Sequence, residues 1–348
     1  MAEVDRKYCS SSYLIYRAVI DESKQFSDKY PLRDIPYPSY REPIRNSDEL
    51  YTHLKNYVDK LIGEGKKVGI ALSGGIDSAI VAKLVPRGTI AYTFKCVVPG
   101  AQVTDESQGA ARYAEECDLD HRVVEIYWED FAKYAPDLMK RKGSPIHSIE
   151  IQIHKAALQA KQDGCEVFLF GECADCIYGG HSNLLSKDYT FGQFVERWSF
   201  VQPYAVLKDF EYPLQHYQPF VHDGMVDSAK FLSIHQSPSS YKSYDNACAL
   251  AGVRFATPFA DTIMAEPLDL ERVRRGENKY LVREVFQKLY PNWEIPDKVP
   301  MPRPMGEWLK DWEGPKRPEF WPNCHIGMTG DQRWMIYALE QFLNIIDE

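Results

Sequence analysis

The strongest constraint on the fold of this chain is a glycine-containing turn near residue 75. The preceding residues 68–72, Val-Gly-Ile-Ala-Leu, carry no charge and predict a central strand that is covered on both faces. Two glycines allow a sharp turn, and residues 79–84 favour a helix. A turn at a helix N-terminus presents backbone N–H groups to anions, so we expect a phosphate there. The loop consists of Ser73, Gly74, Gly75, Ile76, Asp77 and Ser78.

The loop lacks the lysine of the common phosphate-binding loop, so it carries no cation of its own. Asp77 adds a negative charge instead. A phosphate beside a carboxylate requires a positive partner, and Mg²⁺ prefers such oxygen ligands. The residues therefore predict a phosphate and magnesium site. The alternative is an ordinary strand-to-helix turn that happens to use glycine and serine.

This loop resembles the S-G-G-x-D-S pyrophosphate loop of the ATP pyrophosphatase, or PP-loop, superfamily. The superfamily includes asparagine, GMP and NAD synthetases, argininosuccinate synthetase and tRNA-thiolating enzymes. The resemblance implies that ATP is a substrate and Mg²⁺ a cofactor. It assigns nucleotide binding to Ser73, Gly74, Gly75, Asp77 and Ser78, and metal binding to Asp77.

Strands and helices alternate along the first half of the chain. The predicted elements are strands at residues 89–98, 121–127 and 165–170 and helices at residues 105–117 and 149–163. A further helix is expected to begin at Ser47, with Ser47 as its cap, and to end at Gly63 and Gly65. The alternation predicts an α/β fold with a parallel sheet, whose ligands bind where the strands end.

A second acidic loop follows the strand that ends at residue 170. It reads Gly171, Glu172, Cys173, Ala174, Asp175, Cys176, Ile177, Tyr178, Gly179 and Gly180. Because Asp77 and Asp175 follow two strands of one sheet, we expect both carboxylates to share Mg²⁺ with the triphosphate. Glu172 would then lie near the reacting centre. The alternative is that Glu172 and Asp175 are merely solvated on a loop.

The second loop resembles the S-G-E-G-A/S-D-E-x-F-G-G segment of asparagine synthetase and of its relatives that form β-lactam rings. It departs from that segment at Cys173, where relatives have glycine, and at Cys176, where they have an acid. The resemblance implies that Glu172 lies beside an acyl-adenylate and orients or deprotonates the attacking amine.

Cys173 and Cys176 form a single C-x-x-C pair, which supplies too few ligands for a closed zinc site. Thiolating members of the superfamily use a catalytic cysteine, so a nucleobase- or tRNA-modifying enzyme with either cysteine as sulfur carrier is one alternative. A non-catalytic nucleotide-binding protein is another. The chain has 8 scattered cysteines, which indicate reduced thiols in a cytoplasmic protein.

Three C-terminal stretches also resemble the asparagine synthetase family. Residues 245–261 resemble a helix and a following loop that ends in P-F-x-D, with Arg254 matched approximately and Gly252 where relatives usually have a glutamate. Residues 277–286 resemble the K-x-I/L-L/V-R-E-x-F helix. Residues 298–308 resemble the lysine-bearing loop after it, which implies that Lys298 supplies a catalytic cation.

The resemblance covers residues 47–312 and implies a PP-loop, adenine nucleotide alpha hydrolase-like core over residues 47–190. A largely helical part is expected over residues 191–348, and an N-terminal extension that packs on the core over residues 1–46. We expect no glutaminase domain, because the residues before 47 leave no room for one.

The sequence therefore predicts an AMP-forming amide ligase that adenylates a small carboxylate and transfers ammonia or an amine to it. The nitrogen would be free ammonia, an amine substrate or the product of a separate ammonia-supplying protein. A formal charge of −9 argues against a nucleic acid partner held by a basic surface. No apolar run has the length of a membrane span.

Overall fold

The computed structural model describes residues 2–297, 299 and 301–348. The strands are β1 (Glu3–Val4), β2 (Lys24–Gln25), β3 (Glu42–Ile44), β4 (Val68–Ala71), β5 (Ile90–Cys96), β6 (Asp120–Ile126), β7 (Val167–Leu169), β8 (Tyr189–Thr190), β9 (Val221–His222), β10 (Met225–Val226), β11 (Arg254–Ala256) and β12 (Thr262–Met264).

The helices are α1 (Arg6–Tyr16), α2 (Ser47–Gly63), α3 (Ile76–Leu84), α4 (Ser107–Glu116), α5 (Trp128–Lys142), α6 (Ile149–Gln162), α7 (Ala174–Ile177), α8 (Ser182–Leu185), α9 (Phe191–Trp198), α10 (Pro203–Val206), α11 (Ser228–Phe231), α12 (Ser237–Leu250), α13 (Leu270–Arg274), α14 (Tyr280–Leu289), α15 (Met305–Trp308) and α16 (Gly330–Asp347). A 3₁₀ helix covers Leu214–Phe220, and a π-helical turn covers Leu232–Gln236.

The central sheet contains five parallel strands in the order β11, β7, β4, β5 and β6. Strand β4 lies at the centre of the sheet. Strands β5 and β6 follow it on one side, and the later strands β7 and β11 lie on its other side. The strand order therefore reverses between β4 and β7. The loops that follow these two strands border a crevice, which is where open parallel sheets bind their ligands.

Helices cover both faces of the sheet, because neighbouring residues of a strand point to opposite sides. Phe168 belongs to a hydrophobic cluster with residues of α5, α6, α12 and α16. Its neighbours Val167 and Leu169 belong to a cluster on the other face with residues of α2, α3, α4 and α14. A third cluster joins the end of α1 to α8, α9, α11 and the 3₁₀ helix. The α/β fold with a parallel sheet, predicted from the sequence, is confirmed.

Two local predictions were wrong. The cap of α2 is Asn46, whose side chain accepts hydrogen bonds from the N–H groups of Asp48 and Glu49, whereas Ser47 is the first helical residue. Residues 245–261 contain the edge strand β11 in addition to the expected helix and loop. A strand of three residues is too short to produce a detectable alternation of apolar and polar side chains.

None of the helices in the described part of the chain combines the length and the hydropathy that a bilayer crossing requires.

Candidate active site

The loop after β4 is organised by hydrogen bonds between its own serines. The N–H of Ser73 donates to Oγ of Ser78 at 3.0 Å, and the N–H of Gly75 donates to Oγ of Ser73 at 3.1 Å. The two hydroxyl oxygens are 3.0 Å apart. Gly75 is the cap residue of α3, and no side chain caps the helix there. The loop is therefore held in shape while the start of α3 remains able to receive an anion.

The second acidic loop lies directly against this turn. Gly171, which follows β7, is so close to the start of α3 that a Cβ atom on it would lie 2.7 Å from the backbone carbonyl carbon of Asp77. Only glycine permits this approach of two backbones. The neighbouring positions of β4 and β7 in the sheet thus bring together two loops that are about 100 residues apart in the sequence.

Asp77 and Asp175 converge on one ammonium group, which belongs to Lys279. Nζ of Lys279 lies 2.9 and 2.7 Å from the carboxylate oxygens of Asp77 and 3.0 Å from Oδ1 of Asp175. Burial lowers the pKa of Lys279, but the two carboxylates outweigh this effect and raise the pKa overall, so the side chain stays charged. The side chain of Lys279 is 8% exposed. A triad of one buried ammonium and two partly exposed carboxylates joins the two loops.

The cations of the site come from a helix whose role the sequence reasoning missed. Lys279 is the cap residue of α14, and Arg283 follows it by one helical turn. Both side chains line the cavity beside the pyrophosphate loop. The detectable signal was the motif over residues 277–286, whose lysine and arginine are spaced to share one helix face. The predicted cation, Lys298, lies outside the described residues.

Glu172 is enclosed and hydrogen-bonded. The hydroxyl of Ser240 donates to Oε1 of Glu172 at 2.7 Å, and Thr257 donates to its backbone carbonyl oxygen at 2.7 Å. Burial raises the pKa of Glu172 above its ordinary value, and hydrogen bonds from Ser240 and Tyr244 oppose this shift. A carboxylate with a raised pKa is a stronger base than an exposed one.

The two cysteines of the second loop are buried thiols. Burial raises the pKa of both, and the negative charge of Glu172 adds to the effect at each. The thiolate is the nucleophilic form of cysteine, and a raised pKa keeps a thiol protonated at neutral pH. Both cysteines are therefore poor nucleophiles for sulfur transfer. Cys173 has a φ of 75°, in the left-handed region. This backbone conformation explains why relatives have glycine there.

The residues at the junction of the two loops suit a magnesium ion that is also held by a nucleotide. Asp77 and Asp175 converge from two strand ends, and Mg²⁺ in such sites takes one or two carboxylates together with phosphate oxygens and water. Groups of three or more His, Cys, Asp or Glu side chains able to hold a metal are absent from the part of the chain that the structure describes. A metal here would therefore depend on the oxygens of the triphosphate.

The triad and the serine loop border one cavity of about 220 Å³. Glu106, which precedes α4, also lines it. Burial, followed by the negative charge of Asp105, raises the pKa of Glu106 to about 7. Arg254 does not belong to this site, because it begins β11 at the opposite end of the sheet and bonds Glu64 at 2.7 Å.

Two solved structures match the chain at low similarity. An NMN synthetase from Francisella tularensis is 20% identical, with 39% of this chain and 59% of that chain covered at a TM-score of 0.27. A U34-tRNA thiolase from Methanococcus maripaludis, solved with its 4Fe-4S cluster, is 15% identical, with 78% of this chain and 92% of that chain covered at a TM-score of 0.29. Similarity at this level does not bear on the chemistry.

A sequence relative is more informative. A predicted glutamine-hydrolysing asparagine synthetase from Methanocaldococcus jannaschii is 30% identical over 185 residues, which cover 49% of this chain and 32% of that protein. The match thus spans about a third of the relative. The sequence model of the asparagine synthase family matches residues 49–316, well over half of the chain, and this range contains both acidic loops and Lys279. The chain therefore belongs to the asparagine synthase family.

Proposed function

We propose that this protein is an ATP-dependent amide ligase that forms AMP and pyrophosphate. It would activate a small carboxylic acid as an acyl-adenylate and then transfer ammonia or an amine to the acyl carbon. The family supports an ATP-using PP-loop enzyme of this general kind. The observation that carries the proposal is the convergence of Asp77, Asp175 and Lys279 at the uncapped start of α3.

The charges of the cavity call for a cation beside a polyphosphate. Lys279 and Arg283 balance the formal charges of Asp77 and Asp175, but Glu106, Glu172 and Asp297 also line the cavity, so ATP would bind here together with Mg²⁺. The serine loop adds neutral donors and the dipole of α3. We infer that the β- and γ-phosphates bind here, with Ser73, Gly74, Gly75, Asp77 and Ser78 around them.

Asp77 and Asp175 are the residues that would hold Mg²⁺. When bound, the ion would supply positive charge to the phosphate oxygens and so ease the departure of pyrophosphate. Lys279 would also stabilise the negative charge of the leaving pyrophosphate, because its buried ammonium lies between the two acids and remains protonated.

In the first proposed step, a carboxylate oxygen of the substrate forms a bond to the α-phosphorus of ATP. The bond between that phosphorus and the α,β-bridging oxygen breaks, and pyrophosphate leaves. In the second step, nitrogen forms a bond to the acyl carbon, and the bond from carbon to the AMP oxygen breaks. The proton lost by nitrogen would pass to Glu172, whose raised pKa favours accepting it.

The experiment that tests the proposal is exchange of labelled pyrophosphate into ATP in the presence of carboxylic acids. We expect exchange with at least one acid of a broad panel, and none without acid. ADP as the product, or no exchange with any acid, would overturn the proposal. Ammonium, glutamine and simple amines are then added in turn to identify the nitrogen donor.

The role of Glu172 is tested by Glu172→Gln, which should separate the two steps. We expect pyrophosphate exchange to stay within a few-fold of the native rate while amide formation falls by about 100-fold, the usual contribution of a positioned base. Glu166→Gln is the matched control, because Glu166 is exposed just before the same strand, β7. Equal loss of both steps in Glu172→Gln would contradict this role.

We also propose a reducing, cytoplasmic setting for this enzyme. All eight cysteines are free, and seven of them are buried. Buried thiols without disulfide partners are typical of proteins that work where thiols are kept reduced.

A further inference from the structure

A second cavity, of about 630 Å³, adjoins the nucleotide cavity. Glu172, Asp175, Tyr244 and Met301 line both of them. Glu172, the proposed base, and Asp175, one acid of the triad, therefore lie at the junction of the two cavities. A molecule in the second cavity can present one of its groups to the reacting centre while the rest of it contacts the other residues that line this cavity.

Part of the wall of the second cavity consists of arginine side chains. Arg17, Arg197 and Arg303 line it. Arg17 directly follows α1 and has a left-handed backbone with φ of 62°, which is costly for a residue with a side chain. Its guanidinium lies 5.4 Å from the ring centre of Trp198 and 4.9 Å from that of Phe200. A strained residue held in a defined place is a frequent mark of a functional position.

Two hydrogen-bond donors of this wall have no acceptor. Nε of Arg17 and Nε1 of Trp198 are both buried and lack a hydrogen-bond partner. Buried donors in folded proteins are nearly always paired, because an unpaired donor loses its bonds to water without compensation. An acceptor supplied by a ligand in the cavity would satisfy both.

The electrostatics of the wall favour an anion. Burial, and then the positive charge of Arg303, lower the pKa of Arg17 to about 10, so it is still protonated at neutral pH. Arg303 itself bonds Asp331 at 3.1 Å. Nδ1 of His147 accepts the N–H of Ile149 at 3.3 Å, so the neutral ring carries its proton on Nε2 and is a further donor. Burial and the nearby arginines lower the pKa of His147, which keeps it neutral.

The second cavity contains few acids. Among the described residues that line it, Glu172 and Asp175 are the only carboxylates. Both stand at the junction, where Asp175 bonds Lys279 and Glu172 accepts from Ser240. An ammonium group near the arginines would be repelled by their charges, because the nearby carboxylate, Asp331, is already bonded to Arg303.

We propose that the second cavity binds the acid substrate, and that this substrate carries a second anionic group, a carboxylate or a phosphate, held by Arg17 and Arg303. The substrate has no ammonium group beside that second anion, so it is not a free α-amino acid. This inference rests on the proposed function for the identity of the activated carboxylate. Arg17 lies outside the matched residues 49–316, so this proposed substrate-binding residue is not part of the family domain.

The test is calorimetric binding with the nucleotide site saturated by a non-hydrolysable ATP analogue and Mg²⁺. The probes are succinate, glutarate, adipate and 3-phosphonopropionate, each paired with the analogue in which the second anion is an amide. Aspartate and glutamate are included as amino acids. We expect at least one dianion to bind 10-fold or more tightly than its amide partner, and more tightly than either amino acid.

Arg17→Gln should reduce this preference for the dianion at least 5-fold, while the affinities for the amide and for the ATP analogue stay within twofold. Arg303→Gln provides the same comparison if Arg17→Gln does not fold. Arg275→Gln is the control, because Arg275 is exposed and does not line the cavity. A retained preference in Arg17→Gln and Arg303→Gln would overturn the assignment of these residues.

Native protein that binds no dianion better than its amide, or that prefers an amino acid, would overturn the proposed substrate class. Binding requires no chemistry, so these outcomes are independent of pyrophosphate exchange. A chain that binds dianions but exchanges no pyrophosphate would contradict the ligase proposal alone.

Discussion

Lys279 is the residue on which the structure of the site depends most. Lys279→Met would leave Asp77 and Asp175, whose side chains are 21% and 32% exposed, without their common partner. We expect the free energy of unfolding to fall by less than the roughly 3–5 kcal/mol of a fully buried ion pair that loses one member, and by more than the about 1 kcal/mol of an exposed pair. Urea denaturation measures this change. The double variant Lys279→Met with Asp175→Asn should recover part of the lost stability. Asp77 then remains as a single negative charge, and the repulsion between two carboxylates is gone.

Lys288→Met is the matched control for that measurement. Lys288 lies on the same helix, α14, and bonds the exposed Asp48. Exposed pairs contribute about 1 kcal/mol or less. If the two lysine variants lost equal stability, the triad would not have the importance that we give it.

Glu106 should make the protein sensitive to pH. Its pKa in the folded chain is about 7, above its ordinary value of 4.5, so the stability it contributes is complete below pH 4.5 and is lost as the pH rises through 7. Relative to Glu106→Gln, the native chain should lose about 2 kcal/mol between pH 5 and 8, since one pKa unit corresponds to about 1.4 kcal/mol. Thermal unfolding of both proteins across this range measures the effect. Parallel curves would show that Glu106 titrates normally.

Individual site residues were predictable where a strand end placed them. Asp77, Glu172 and Asp175 follow two strands of a parallel sheet, and side chains at such positions meet at one edge. Lys279 was not predicted as a partner of Asp77, because the motif over residues 277–286 does not indicate contact with a residue about 200 positions away in the sequence. The left-handed backbone of Cys173 was not predicted either. A glycine in a sequence indicates that such a conformation is possible, whereas a cysteine does not.

The contact between the two loops depends on Gly171. Gly171→Ala would push a methyl group against the backbone at the start of α3. We expect a loss of about 1–3 kcal/mol in unfolding free energy, the usual cost of overpacking, and a loss of nucleotide affinity. Calorimetric unfolding and titration with an ATP analogue measure the two effects.

Gly192→Ala provides the comparison for Gly171→Ala. Gly192 lies in α9, and a Cβ atom there would have no neighbour within 4 Å. Alanine in place of glycine in a helix should stabilise it by about 0.5–1 kcal/mol. The two substitutions are chemically identical and should have opposite signs. A neutral or stabilising Gly171→Ala would mean that the loops are not in the close contact described.

Several of the longer elements match the expected bounds, whereas the long helices α5 and α16 and the short strand β11 were not predicted. Helix α6 and strand β5 lie within one to two residues of the expected bounds because each has a clear apolar pattern. Strand β11, with three residues, was missed. The order of strands in the sheet was not predictable either, because it depends on which helices cover which face.

The N-terminal residues pack against the rest of the molecule. Helix α1 lies outside the matched family range, yet its residues belong to two of the hydrophobic clusters. The hydroxyl of Tyr13 donates to the carbonyl oxygen of Ile146, and Arg17 reaches the second cavity. We expected residues 1–46 to pack on the core, but their composition did not indicate which contacts they make, because these depend on distant parts of the chain.

The central claim is that ATP is attacked at its α-phosphorus by a carboxylate oxygen. The most direct test uses an accepted acid labelled with ¹⁸O in its carboxyl group, together with ATP, Mg²⁺ and the nitrogen donor, and follows the products by ³¹P NMR. Our account predicts AMP that carries one ¹⁸O atom, with unlabelled pyrophosphate. Unlabelled AMP, or ADP with ¹⁸O in inorganic phosphate, would contradict it.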